Sequence, residues 1–342
     1  MLIYDLGLPE LTEILRSWDE PDYRAEQIWQ GLYKQFYDSP TQFSNLPKSL
    51  REKLAHEFNY EGIRPVRYLE TKDGLTRKTL FRLPDRNMIE AVLMRYDKRR
   101  TLCISSQAGC AMGCVFCATG QMGFKRNLTS GEIVAQVLYY ARLLHKQALA
   151  VTNIVVMGMG EPFHNYDQTM QAIDRLNDSE GYNFGARRIT ISTVGLVPMI
   201  RRFADEKRQV NLAVSLHAVD DSLRSSMMPV NRKYSIDEIL DVCRYYVAQT
   251  GRRVTFEWAL IYEVNDTPEQ AKKLATKLRK LLCHVNAIPL NPTKDYSGQA
   301  TTRERAEAFK EILESAGIPC TIRMRRGIDI QAGCGQLAAP LS

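Results

Sequence analysis

The segment Cys110-Ala-Met-Gly-Cys114-Val-Phe-Cys117 restricts this chain more than any other stretch. Two thiols at C-x-x-C spacing reach one metal centre from a single turn, and the third lies about one turn away. Thiolates so close together select soft-metal chemistry, zinc or iron–sulfur. A closed structural zinc site needs four ligands. Only three are present here, and no His or Cys follows at zinc-finger distance. Three thiolates on a four-iron cluster leave one iron free to hold a small chelating ligand, which is what catalysis needs. The alternative is a zinc ion completed by a distant cysteine such as Cys103.

At 342 residues the chain has room for one large and one small domain. Its 44% hydrophobic and 25% charged residues are ordinary for a globular protein. There is no apolar run of about 18 residues and hence no candidate membrane span. The first residues, Met1-Leu-Ile-Tyr-Asp-Leu, carry no basic region or cleavage site. Eight cysteines without an export signal point to a reducing cytoplasm and to metal or thiol chemistry. Residues 1–60 hold 6 Lys/Arg and 10 Asp/Glu of the chain's 46 and 39, so that segment is −4 and the remainder +11. Basic pairs such as Lys125-Arg126 and Arg325-Arg326 recur in the remainder and suit phosphate contacts with nucleic acid.

Apolar spacing predicts three short helices within residues 1–60, a helical accessory domain. Residues 61–95 read as a β-rich linker segment. In the strand candidate Met88-Ile-Glu-Ala-Val-Leu-Met the one carboxylate is Glu90. Buried, it would have a raised pKa and suit a base; on an edge strand it would face water. From residue 96 to 342 strands alternate with helices, and a capping box, Thr129-Ser-Gly-Glu132, opens the first long helix. Such alternation predicts an α/β fold with a parallel sheet. About six units are too few to close an eight-fold barrel, so a partial (β/α)6 barrel is expected. Polar motifs stand at the strand ends: Gly158–Glu161, Ser192, Ser215-Leu216-His217 and Asn291. In βα barrels that is where a site gathers. Singly, each has a plain reading, a turn for Gly158–Glu161 and a core histidine for His217. Cys334 stands apart from the other cysteines, in a Gly-rich tail without periodicity.

Taken together, Cys103–Cys110, Phe116–Gly120, Gly123–Leu128, Gly158–Pro162 and Arg326–Leu337 resemble the dual-specificity RNA adenine methyltransferases among the radical S-adenosylmethionine (SAM) enzymes, over most of the chain. The chain is most similar to the RlmN type and next to the Cfr type. The resemblance implies one 4Fe–4S cluster on Cys110, Cys114 and Cys117. It also implies SAM contacts from Gly160, Glu161, Ser192, Ser215, Leu216, His217 and Asn291, with two SAM molecules used per turnover. Catalysis would belong to Cys334, Cys103 and Glu90. The implied reaction methylates carbon 2 of adenine in 23S ribosomal RNA and in transfer RNA, through an S-methylcysteine and a covalent protein–RNA adduct resolved as a disulfide. A flavodoxin or ferredoxin would supply electrons to a monomeric enzyme. Cfr-type methylation of carbon 8, or a non-enzymatic Fe–S module that binds RNA, are the competing readings.

Overall fold

The computed structural model describes residues 1–338. Three helices lead: α1 (Leu8–Arg16), α2 (Tyr23–Tyr33) and α3 (Lys48–Glu57). Each turns one stripe inward, with Leu11 and Leu15, Ile28 and Leu32, and Leu50 and Leu54 buried four residues apart. The helical unit docks on the main body through polar contacts as well as apolar ones. The Asp5 carboxylate accepts the Gly131 N–H at 2.8 Å, and Arg142 donates to Tyr4 Oη at 2.8 Å and to the Phe36 carbonyl at 2.9 Å.

Next come β1 (Arg64–Glu70), β2 (Thr76–Arg82), β3 (Met88–Arg95) and β4 (Arg100–Cys103), joined antiparallel in sequence order. A small hairpin follows, β5 (Gln107–Gly109) and β6 (Phe124–Asn127), with α4 (Ala118–Gln121) inside its connection. The alternating part is α5 (Ser130–His145), β7 (Asn153–Val156), α6 (Tyr166–Asn177), β8 (Ile189–Thr193), α7 (Val197–Asp205) and β9 (Asn211–Ser215). It ends with α8 (Asp221–Met227), α9 (Ile236–Thr250), β10 (Val254–Leu260), α10 (Pro268–Leu278), β11 (Cys283–Pro289), α11 (Arg303–Ser315) and β12 (Cys320–Ile322). The capping box forms: the Thr129 hydroxyl accepts the Glu132 N–H, and the Glu132 carboxylate accepts the Thr129 N–H at 3.0 Å.

One ten-stranded sheet runs β1-β2-β3-β4-β7-β8-β9-β10-β11-β12. From β4 to β12 every pairing is parallel, with strand order equal to chain order, as a partial βα barrel requires. Residues 61–95 supply the antiparallel edge of this same sheet. Beyond β12 the chain doubles back across the strand ends. Lys78 of β2 donates to the Gln331 carbonyl at 3.1 Å, Ala118 to that of Gly335 at 2.7 Å, and Thr119 to that of Leu337 at 2.6 Å. Residues 327–338 thus lie over the mouth of the barrel.

Candidate active site

The three cysteines of the short motif sit in the connection between β5 and β6. Cys110 is tied to it by its N–H to the Gly123 carbonyl at 3.0 Å, and Cys117 precedes α4 after donating to the Cys114 carbonyl at 3.1 Å. All three thiols border an open cavity of about 990 Å³ at the C-terminal ends of the parallel strands. Burial raises the pKa of Cys110 to about 12 and raises those of Cys114 and Cys117. Cys114 and Cys110 are raised further by neighbouring thiols. Thiols in such a place stay protonated unless a metal takes them. Among the described residues no three His, Cys, Asp or Glu side chains converge to hold a single ion. The thiols line a space instead of a point, which fits a multi-atom cluster better than zinc. Cys103, the conceivable fourth zinc ligand, lines a different cavity.

The strand-end residues meet around the same space. Gly160, Glu161, Ser192, Ser215, His217 and Asn291 all line it. Leu216 is wholly buried beside them and donates its N–H to the Glu257 carbonyl at 3.2 Å. Gly160 holds φ at +103°, and a Cβ there would stand 2.5 Å from Gln107, so the turn needs a glycine. The Gln107 side chain accepts the Glu161 N–H at 2.8 Å and so locks that turn onto β5. The Glu161 carboxylate takes the N–H groups of Phe163 at 3.0 Å and Val194 at 2.8 Å. Burial still pushes its pKa up to about 7. With the Thr193 side chain as a further partner, the carboxylate still borders the cavity, where an ammonium group can approach it.

His217 adopts φ +61°, a rare conformation for a side chain of this size. Its Nδ1 accepts the Ala259 N–H at 2.9 Å, which assigns the proton to Nε2. Burial, with Arg224 nearby, depresses its pKa to about 3, so it stays a neutral donor. Asn291 Nδ2 bonds the Cys334 carbonyl at 3.0 Å, while its buried Oδ1 has no partner. An orphaned acceptor on the wall of a cavity is the mark of a missing ligand donor.

Cys334 borders this cavity and a second, smaller one of about 570 Å³, which also holds Cys103. Met157, Ile288 and Asn291 are likewise common to both. Both cysteines are free thiols, and burial pushes that of Cys103 up to about 12. Arg323, Arg325, Arg326 and Tyr96 stand at the mouth of the smaller cavity, with the guanidinium groups of Arg99 and Arg326 each 4.4 Å from the Tyr96 ring centre.

Glu90 is placed differently from the others and lines neither cavity. Its carboxylate pairs with Lys78 at 3.0 Å and accepts the Ala338 N–H at 3.0 Å. Burial raises its pKa against the pull of Lys78. Arg126, half of a basic pair read as a phosphate contact, is instead engaged by Asp85 and Glu132. Sequence reasoning also missed Glu257, a buried carboxylate on the larger cavity whose pKa burial pushes to about 7. The signal was available: it is the lone acid of an apolar strand, as Glu90 is. Lys78 and Arg224 gave no such signal.

The Radical SAM superfamily matches residues 104–275, the stretch that builds the parallel strands from the end of β4 to α10. The chain belongs to this superfamily, whose enzymes work with a 4Fe–4S cluster and SAM. The ribosomal RNA large subunit methyltransferase N-terminal domain matches residues 2–59. A probable dual-specificity RNA methyltransferase RlmN of Chloroflexus aurantiacus is 50% identical over 98% of this chain and 92% of its own. The dual-specificity RNA methyltransferase RlmN 1 of Myxococcus xanthus is 48% identical over 98% and 94%. A crystal structure of a radical SAM methyltransferase from Sphaerobacter thermophilus superposes with a TM-score of 0.97 at 54% identity, covering 99% of this chain and 100% of that one. Within the superfamily, this chain is a member of the RlmN family of dual-specificity RNA methyltransferases.

Proposed function

We propose that this enzyme methylates carbon 2 of adenine in 23S ribosomal RNA and in transfer RNA, using Cys334 as a methyl carrier between two chambers. The position of Cys334 in the wall common to both cavities carries the reading. In the larger chamber Cys110, Cys114 and Cys117 hold the cluster, which when bound supplies the single electron that cleaves SAM. Glu161 receives the ammonium group of SAM there, while Gly160, Ser192, Ser215, Leu216, His217 and Asn291 shape and hydrogen-bond the rest. The smaller chamber receives the adenine, and the guanidinium groups at its mouth, which form no ion pair among the described residues, hold the flanking phosphates.

Carbon 2 of adenine is electron-poor and cannot attack a methyl sulfonium as a nucleophile. Cys334 therefore accepts a methyl group from one SAM as a thiolate. The methyl on Cys334 then gives up a hydrogen atom, for which the cluster and a second SAM, when bound, would supply the acceptor, and its methylene carbon bonds to carbon 2. Carbon 2 regains its double bond by giving its proton to Glu90, which requires the tail to let go of the bond from Ala338, and the surplus electron would return to the bound cluster. The Cys103 thiolate attacks the Cys334 sulfur and forms a disulfide; the electron pair of the broken S–C bond stays with the methylene carbon, which takes a proton to become the methyl group. Arg323 acts against the burial of Cys103 and favours its anionic form. A flavodoxin or ferredoxin reduces the system. We place the enzyme in the cytoplasm as a monomer, with residues 1–60 an accessory domain, 61–95 a β-rich segment and 96–342 the catalytic core. No helix among the described residues is long and apolar enough to cross a membrane.

Mass spectrometry of RNA from cells with and without the gene tests this. The expected result is 2-methyladenosine present only with the gene. An 8-methyl product would refute the carbon assignment, and unchanged RNA would refute the activity.

A further inference from the structure

Arg224 is the one cationic residue among the described residues that the fold buries to 0% exposure. It projects from α8 behind the ends of β8 and β9. Nε donates to the Leu216 carbonyl at 2.9 Å, Nη1 to Asn231 Oδ1 at 2.9 Å, and Nη2 to the carbonyls of Val194 at 2.7 Å and Ser215 at 2.9 Å. Every one of those acceptors is neutral, and Arg224 forms no ion pair among the described residues. The nearest acid on its own helix, Asp221, spends Oδ1 on Asn231 Nδ2 and on the Ile236 N–H, each at 2.9 Å. A guanidinium taken from water without a carboxylate costs several kcal/mol, of which neutral hydrogen bonds return only part. A fold keeps such a charge where something anionic stands opposite.

What stands opposite is the cluster loop. Cys114 packs in one apolar group with Ala218, Met227 and Met228, the last two at and just beyond the C-terminal end of α8. Val115 donates its N–H to the Met227 carbonyl at 3.0 Å, so the loop is fastened to the helix that carries Arg224. Burial draws the pKa of Arg224 down to about 10, with Cys114 and, after it, Asp221 acting in the opposite sense, so the side chain remains charged at neutral pH. Glu161 also faces the cysteines, but both of its oxygens are held by main-chain N–H groups across the cavity.

We propose that Arg224 is the fixed counter-charge of the iron–sulfur site, offsetting from behind Cys114 the negative charge of three thiolates and an added electron. The proposal rests on Cys110, Cys114 and Cys117 being the ligands. A buried cation stabilises the reduced cluster over the oxidised one, so it raises the potential at which the electron enters. By fastening the carbonyls of Val194 and Ser215 the same side chain also fixes two walls of the SAM chamber.

The test is reductive titration of the anaerobically purified holoenzyme, followed by electron paramagnetic resonance, with iron content and apoprotein melting measured beside it. Arg224→Lys keeps the charge and should leave the midpoint near that of the wild type. Arg224→Met should lower the reduced-to-oxidised ratio at fixed potential about tenfold, equivalent to about 59 mV for one electron. Asn231→Asp keeps the arginine and sets a carboxylate against Nη1; it should shift the midpoint in the same direction even if Arg224→Met folds poorly. A midpoint unchanged in Asn231→Asp and Arg224→Met at full iron content, with only melting affected, would make Arg224 a carbonyl staple and overturn the proposal. Wild-type protein without a cluster signal would instead overturn the ligand assignment.

Discussion

Replacing Lys78 by Met removes the cation that faces Glu90 in a site where their side chains are only 8% and 5% exposed. A carboxylate left alone there either remains charged, at a cost of about 3–5 kcal/mol, or takes a proton. Protonation sets the ceiling. Holding a carboxyl of ordinary pKa 4.5 neutral at about pH 7 costs two and a half pH units at about 1.36 kcal/mol each, or about 3.4 kcal/mol. The expected loss at neutral pH is therefore about 3 kcal/mol. At about pH 5 the same protonation costs about 0.7 kcal/mol, so the loss should shrink to about 1 kcal/mol. The sign follows from linkage: with its pKa raised, folded Glu90 binds a proton that the unfolded chain has released, and the variant weakens as pH rises. Thermal melting of variant and wild type at matched pH reads this difference, at about 2 °C per kcal/mol for a chain of this length. Lys78→Met combined with Glu90→Gln should recover most of the loss and flatten the pH dependence, since the amide oxygen still accepts the Ala338 N–H. Because Lys78 also holds the Gln331 carbonyl, alkylation of Cys334 should quicken in the single variant. A single variant as stable as wild type at neutral pH, or one whose deficit grows toward acid, would refute the reasoning.

Cys103→Ala should allow addition to adenine and block release, giving protein-bound RNA on a denaturing gel that nuclease removes and that Cys114→Ala prevents; normal turnover would make Cys103 structural. Cys334→Ala should retain the cluster and lose methyl transfer, and peptide mass spectrometry of the wild type should find a one-carbon addition on Cys334. RNA affinity should fall steeply with salt, and Arg325→Ala with Arg326→Ala should reduce the slope of log affinity against log salt by roughly 2. Arg126→Ala should lower stability instead, because its charge is already committed to Asp85 and Glu132. SAM binding, measured by calorimetry, should strengthen as pH rises through about 7, where Glu161 becomes ionised, and Glu161→Gln should remove that dependence.

The parallel half of the fold was legible because its strands and helices alternate with clear periods, and because four strand ends carry small or polar residues. The cavity-lining role of Glu161, Ser215 and Asn291 follows from that order alone, since strand ends in a barrel converge. Residues whose placement depends on chain segments far apart were not legible. The pair Lys78–Glu90 becomes meaningful only when the tail returns over the barrel, and nothing local to β2 announces it. Arg126 looked like a free cation next to Lys125, yet Asp85, some forty residues earlier, folds back onto it. α8 is short and its arginine sits among polar residues, so its complete burial was invisible until β8 and β9 were in place.

The tail that bears Cys334 is pinned on both sides, by Lys78 at Gln331 and by Glu90 at Ala338. Between these pins Asn291 holds the Cys334 carbonyl, Ala118 that of Gly335 and Thr119 that of Leu337, so the backbone that carries the sulfur is tethered along its length. Gly335 holds φ at +81°, which glycine adopts without strain, so the tight path between the tethers carries no conformational penalty. With the main chain held, the choice between the two chambers falls to rotation of the Cys334 side chain about its own bonds. Loosening a tether would trade registration of the sulfur for reach.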